Sequence, residues 1–125
     1  MNRTLLPRLT TVCLLVVCGV FGCEAARTYP LNPELARSSL ERAMQAWVDG
    51  QTPEDLQPEI IVGDTAWKEG VKLISFEILS DGDDVEDGSN LHLHVKRKFG
   101  GERGTTISTV KYIVSTSPVI TIFPQ

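Results

Sequence analysis

Residues 91–99 read Leu-His-Leu-His-Val-Lys-Arg-Lys-Phe, and apolar and polar side chains alternate along almost all of this stretch. Alternation with a period of two is typical of a β-strand that buries one face and exposes the other. Arg97 is the one polar residue on the apolar side, and we expect its place near the strand end to let it reach water. The pattern predicts an antiparallel sheet with one face packed on a core.

The segments that follow predict two more strands. Residues 100–104 contain three glycines and predict a hairpin turn, after which residues 105–115 form a long β-rich segment. A Ser-Pro pair interrupts the β-pattern after this segment, and residues 119–123 are predicted to form a last strand. Strands that follow one another with short turns between them favour antiparallel pairing.

Upstream of these strands the β-pattern is less regular. Residues 71–79 predict a strand in which Ile74, Phe76 and Ile78 share one face. Residues 59–62 form only a short β-like patch, and the Gly-Asp-Thr sequence that follows interrupts it. The main sheet is therefore expected to begin with the strand over 71–79.

A helix is predicted before the strands. Asn32 is suited to be the N-cap, Pro33 to be the first helical residue and Glu34 to lie in the first turn, and Gly50 ends the segment. Apolar residues recur at helical spacing between these limits, and the stripe consists of Ala36, Leu40, Ala43, Met44, Trp47 and Val48. This pattern predicts an amphipathic helix.

The chain has 125 residues and 42% hydrophobic residues, which is an ordinary globular composition and allows one domain. A helix followed by consecutive antiparallel strands predicts an α+β fold. We therefore expect one long N-terminal amphipathic helix packed across one face of a four-stranded antiparallel meander sheet. This small domain is expected to occupy residues 32–125.

The N-terminal segment has the pattern of a secretory signal peptide. Arg3 and Arg8 are the only charges before Glu24, and a short apolar run over 9–21 follows them. The run is shorter than the about 20 residues that a membrane-spanning helix needs. Residues 1–22 are therefore predicted to be a signal peptide.

The end of this segment, residues 20–23, reads Val-Phe-Gly-Cys and resembles the lipobox of bacterial lipoprotein precursors. The resemblance implies cleavage behind Gly22, a diacylglycerol thioether on Cys23 and a lipidated tether over residues 23–31. The protein would then be held at a membrane of the cell envelope through this lipid anchor. Glu24 is not the aspartate associated with inner-membrane retention, which favours the outer membrane where the cell has one.

Two other fates of the N-terminal segment remain open. Cleavage by an ordinary signal peptidase after Ala25 would place Cys23 and Ala25 at the small positions of the cleavage site and release a secreted or periplasmic protein. Alternatively, the segment would remain uncleaved as a membrane anchor. We favour the lipoprotein.

Composition excludes several classes of function for residues 24–125. All three cysteines lie before this range, so it holds no disulfide, no cysteine zinc site and no cysteine nucleophile. Removal of residues 1–22 takes away two arginines, and the net charge changes from −4 to −6. An acidic domain is poorly suited to bind nucleic acid, where neutralisation of phosphates supplies most of the affinity. We expect no nucleic-acid partner and no cofactor.

The order of the predicted elements resembles the cystatin-like and NTF2-like α+β group. More narrowly, residues 35–78, which include Ala-Trp at 46–47 and Pro-Glu-Ile-Ile-Val-Gly-Asp at 58–64, look like a family of short, uncharacterised lipoproteins from planctomycete-type bacteria. The tail over 112–123 is similar to that family too. The resemblance implies a fold and a cell-envelope location, and it brings no catalytic residue or ligand with it.

His92 and His94 are two residues apart on a predicted strand, so both imidazoles point to the same face. This spacing can place two nitrogens on one zinc or copper ion, with Glu77 or an aspartate of a neighbouring strand as a third ligand. Lys96 and Lys98 share the face, however, and their positive charge opposes a bound cation. We interpret the two histidines as solvated surface residues and expect no metal site.

Residues 81–90 hold five acidic residues. A calcium-binding loop needs oxygen ligands at alternate positions, glycine at the sixth position and an acid at the twelfth. Neither Asp81 nor Asp83 as the first position produces this arrangement. We interpret the segment as a flexible acidic hairpin loop.

The sequence gives little support for a catalytic function, since no nucleophile-elbow spacing is present. Our leading hypothesis is a lipid-anchored, non-enzymatic envelope domain that presents its sheet to an envelope protein or a small ligand. The alternative is an NTF2-like small-molecule binder or enzyme, whose pocket would use Tyr112 as its phenol and Glu77 as its carboxylate. A pocket of about 300 Å³ or more between helix and sheet favours the alternative. If Trp47, Phe76 and Phe99 fill this space, the alternative function is excluded.

Overall fold

The computed structural model of the protein describes residues 30–79 and 85–125. The predicted signal peptide, the lipidation site Cys23 and most of the tether over 23–31 lie outside the described residues, as does the first part of the acidic loop. Within the two described ranges, no helix is both long enough and apolar enough to cross a membrane.

Helix α1 extends over Pro33–Val48, as its start and stop signals predict. The side chain of Asn32 accepts a hydrogen bond from the Leu35 N–H at 3.1 Å, which satisfies one free donor of the first turn. After the helix the chain turns at Gly50, whose φ of +83° is a conformation that glycine adopts without strain. The buried side of the helix consists of Ala36, Ser39, Leu40, Ala43, Met44, Ala46 and Trp47.

The sheet has six strands, and they are β1 (Ile60–Val62), β2 (Lys72–Leu79), β3 (Val85–Asp87), β4 (Asn90–Gly101), β5 (Gly104–Ser115) and β6 (Ile120–Pro124). Their spatial order is β1-β6-β5-β4-β2, and β3 pairs with β4 as well. Strand β1 runs parallel to β6, while all the other pairs are antiparallel. A 3₁₀ turn (Pro53–Leu56) precedes β1, and a short helix α2 (Thr65–Lys68) follows it.

The predicted fold class, a long helix on a four-stranded antiparallel meander of cystatin-like or NTF2-like type, is wrong. The helix has 16 residues, and the sheet is a curled, mixed sheet of six strands. The error has a physical cause: β1 has only three residues, so it shows almost no alternation, and its partner β6 lies at the other end of the chain. A pairing between such distant segments leaves no signal in the local pattern.

Strand β2 contains a bulge that changes which residues face the core. Leu73 pairs with Phe99 and Ser75 pairs with Lys98, so that Ile74 is an additional residue without its own partner on β4. Of the three residues predicted to share a face, Phe76 and Ile78 therefore pack against the core and Ile74 does not, although all three line one groove. Leu73 is buried and Phe76 packs against the core, whereas Ile74 is 40% exposed.

The space between α1 and the sheet is filled by large side chains. The rings of Trp47 and Trp67 stack with centroids 5.3 Å apart, and Trp47 also contacts Phe99 at 5.6 Å. Both indole N–H groups donate to backbone carbonyls, that of Trp47 to Val71 and that of Trp67 to Gln51. These contacts make one core, and the space that stays open between α1 and the sheet is a groove beside β2.

Candidate functional site

A cluster of polar side chains lies inside this core and is centred on Asp64, the residue before α2. Its Oδ1 accepts hydrogen bonds from the N–H groups of Ala66 and Trp67, at 3.0 and 3.3 Å, and thereby caps the short helix. Its Oδ2 accepts a hydrogen bond from the hydroxyl of Tyr112 on β5, at 2.5 Å. Asp64 is only 2% exposed, so the carboxylate depends on these partners rather than on water.

Arg97 on β4 supplies the positive charge of the cluster. Its Nη1 donates to the Tyr112 hydroxyl at 3.2 Å and lies 3.6 Å from Oδ2 of Asp64, and its Nη2 donates to Oγ of Ser108 at 3.1 Å. The guanidinium also lies over the ring of Phe99, 4.9 Å from its centroid. The Arg97 side chain is 11% exposed, so the prediction that it reaches water is wrong. Strand β4 continues to Gly101, which keeps Arg97 away from the strand end.

The electrostatics of the cluster favour a neutral Tyr112. Burial raises the pKa of the Tyr112 hydroxyl above its ordinary value of 10.0. The hydrogen bond to Asp64 and the negative charge of that residue act in the same direction, while Arg97 acts against them. Tyr112 is therefore a donor to the carboxylate and keeps its proton at neutral pH.

The polar groups of this cluster bind mainly one another. Asp64, Arg97 and Tyr112 bind one another, and none of the open grooves described below includes one of the three in its lining. In the described residues Arg97 Nε is the one buried side-chain nitrogen or oxygen without a hydrogen-bond partner. The arrangement links α2 to β4 and β5, and only a small part of it reaches the surface, since Asp64 is 2% and the Arg97 side chain 11% exposed.

The two residues that sequence reasoning proposed for a pocket do not meet. Tyr112 belongs to the buried cluster, whereas Glu77 lies on the opposite, outer face of the sheet and pairs in register with Lys96. Sequence reasoning missed Asp64, which it treated only as part of a break. Two signals could have found it: Asp64 precedes Thr-Ala-Trp-Lys in the manner of an N-cap, and Arg97 on an apolar face requires an acidic partner.

His92 and His94 alternate with the buried residues of β4 and lie on the outer face together with Lys96 and Lys98. His92 Nε2 lies 3.9 Å from Oδ2 of Asp87 on β3. Across residues 30–79 and 85–125, no three histidine, cysteine or acidic side chains are grouped so that they could hold a metal ion.

One open groove, with a volume of about 520 Å³, lies between α1 and β2. Its apolar wall contains Ile74, Phe76 and Ile78 of β2 and Val48 of α1, and its polar wall contains Arg37, Glu41 and Gln45 of α1. A second groove of about 620 Å³ lies on the other side of α1 and includes the exposed ion pair Arg42–Glu59 in its lining.

Comparison of the chain with protein-family models, with curated proteins and with solved structures finds no match.

We predict that Asp64→Asn strongly destabilises the protein. The amide can still cap α2, but the buried guanidinium of Arg97 loses its counter-charge, which costs about 3–5 kcal/mol when one partner of a buried pair is removed. The matched control is Asp49→Asn at the exposed C-terminal cap of α1, where we expect a change within about 0.5 kcal/mol. Urea unfolding of both variants measures the difference, and equal stabilities would show that the buried charge pair is not required.

The raised pKa of Tyr112 predicts a loss of stability in alkali. Because the folded state holds the phenol proton more tightly than the unfolded state does, this contribution is complete below about pH 10 and is lost as the pH rises further. Between about pH 8 and about pH 11 the wild type should lose about 1 kcal/mol more than Tyr112→Phe, which has no proton to release. Urea titrations at the two pH values make the comparison. The same pH dependence in both proteins would contradict the assignment.

Proposed function

We propose that this chain is an exported, lipid-anchored protein of the bacterial cell envelope whose folded domain binds a partner and performs no catalysis. The N-terminal pattern of two arginines, a short apolar run and Val-Phe-Gly-Cys supports export and lipidation of Cys23. We also propose that residues 35–78 and 112–123 place the chain among short planctomycete-type lipoproteins, which would have the same location.

The observation that carries the binding function is the contrast between the buried polar cluster and the open surface. Asp64, Arg97 and Tyr112 are the groups best suited to acid–base chemistry, and they are buried and bound to one another. An active site needs its catalytic groups at a cavity that the substrate can enter. The groove between α1 and β2 is open to solvent, and its surface fits binding better than proton transfer.

The tether supports a partner that is close to the membrane. Residues 23–31 are nine in number and span at most about 32 Å when fully extended. The start of the helix contacts the segment after β5, because the Asn32 N–H donates to Oγ1 of Thr116 at 2.9 Å. A lipid on Cys23 would therefore keep the domain close to the bilayer, where envelope proteins are its accessible partners.

A second candidate function is the binding of a small molecule in the groove between α1 and β2. Its volume of about 520 Å³ falls within the range of about 300–1,000 Å³ that is typical of ligand pockets. Glu41 and Gln45 supply polar groups on one wall. The groove is open along its length, however, which suits an extended molecule better than a compact one.

Lipidation is tested by intact-mass analysis of the protein purified from membranes. We expect a mature chain that begins at Cys23 and carries the added mass of a diacylglycerol, with or without a further acyl chain. Cys23→Ala should abolish the modification and processing at this site, whereas the control Cys18→Ala should leave both unchanged, because only the cysteine behind Gly22 receives the lipid. An unmodified N-terminus at Ala26 would contradict the anchor.

The binding function is tested by site-specific photocrosslinking in intact cells. A benzophenone side chain at Gln45, on the wall of the groove, should form discrete adducts with an envelope component. The same side chain at Glu54, in the exposed part of the 3₁₀ turn, is the control and should form none. Equal labelling at both positions, or no adduct at Gln45, would rule out the groove as the binding surface.

A further inference from the structure

We propose that the free edge of β2 binds an extended peptide as an additional strand of the sheet. Apolar side chains of the peptide enter the groove beside α1, and an acidic side chain lies on the outer face opposite Ser75, within reach of Lys98. The inference rests on the proposed binding function and specifies its partner as a peptide segment with apolar residues at alternate positions and one acidic residue at the outward position opposite Ser75.

The two edges of the sheet differ in a way that points to β2. At one edge, β1 has three residues, and the 3₁₀ turn packs against it. At the other edge, β2 has eight residues and, among the strands of residues 30–79 and 85–125, pairs with β4 alone. No backbone group of the described chain pairs with the outer side of β2. Because unpaired N–H and C=O groups of an edge strand form a template for another strand, β2 is the edge that can accept one.

The groove can accommodate the side chains that an added strand would direct toward α1. Successive side chains of a strand point to opposite faces, so every second residue of the peptide faces α1. There it would meet Phe76 and Ile78 on the strand and Val48 on the helix. Ile74 is 40% exposed and forms the end of this apolar wall. The inward positions of the peptide therefore favour apolar residues.

The outer face supplies the preference for an acidic residue. On β2, Ser75 is paired with Lys98 of β4, and Glu77 is paired with Lys96. Glu77 thus lies across from Lys96, whereas Ser75, which is small and uncharged, puts no acid of β2 across from Lys98. Neighbouring strands are about 4.8 Å apart, so an added strand lies about 10 Å from β4, a distance that lysine and a carboxylate span together. A carboxylate opposite Ser75 therefore complements Lys98.

Binding is measured with the purified full-length chain in mild detergent and two fluorescent peptides. Both peptides alternate valine with threonine, except that one carries an aspartate and the other a lysine at a single outward position. We expect the aspartate peptide to bind about fivefold more tightly. Lys98→Glu should weaken its binding about fivefold, as the loss of an exposed charge pair does. The matched control Lys111→Glu, on the outer face of β5, should change the affinity less than twofold.

N-methylation of the aspartate peptide distinguishes strand addition from binding in the groove alone. The N–H groups of alternate residues point to opposite sides of a strand, so only one of the two alternate sets faces β2. Methylation of that set should weaken binding at least tenfold, and methylation of the other set should leave the affinity unchanged. Equal affinities of the two methylated peptides would overturn the proposal.

Two further results would also overturn it. A full-length chain that forms dimers and binds neither peptide would assign the β2 edge to a second copy of the chain. Tighter binding of the lysine peptide would contradict the role of Lys98. These outcomes are independent of the lipid anchor. If Cys23 is unmodified and the peptide still binds, the lipoprotein proposal is rejected and the strand-addition site stands. If Cys23 is lipidated and the peptide does not bind, the strand-addition site is rejected and the lipoprotein proposal stands.

Discussion

The position of Arg97 on the inner face of β4 is the constraint on which much of the structure depends. A guanidinium inside an apolar core is stable only when an acid and further acceptors surround it. Asp64 and Tyr112 meet this requirement, and Asp64 at the same time caps α2. The pairing thus determines where the segment after β1 must lie. It also brings Trp67 of α2 into the core, where its ring stacks on Trp47 of α1.

The same segment connects distant parts of the chain. Strand β1 ends two residues before Asp64, and it pairs in parallel with β6 near the C-terminal end of the sequence. At the end of this pairing the Gly63 N–H donates to the Ile122 carbonyl. A Cβ at Gly63 would lie 2.2 Å from the Phe123 ring, so the close approach depends on glycine. The polar cluster around Asp64 and the parallel pairing of β1 with β6 together hold residues 60–68 on the sheet without a disulfide.

The parts of the fold that the sequence predicted are those encoded by local signals. The caps of α1 and the alternation in β4 depend on neighbouring residues only, and both lie in the structure where the pattern placed them. The pairing of β1 with β6 and the bulge at Ile74 depend on contacts between segments far apart in the chain, so periodicity could not show them. The polar cluster was missed for the same reason, because 33 positions separate Asp64 from Arg97. The sequence showed that Arg97 occupies an unusual position on an apolar face, but it did not show that Asp64 is its partner.

The bulge that escaped prediction also determines the shape of the open edge. Bulges commonly protect sheet edges by interrupting the regular row of donors and acceptors. In β2 the bulge lies near the start, and a regular segment of five residues, 75–79, follows it. Ile74 lies against Gly100, where a Cβ would come within 2.8 Å of its Cδ1, so glycine on β4 leaves room for the displaced isoleucine. The bulge therefore protects one end of the edge strand and adds an apolar wall to the groove beside the unprotected remainder.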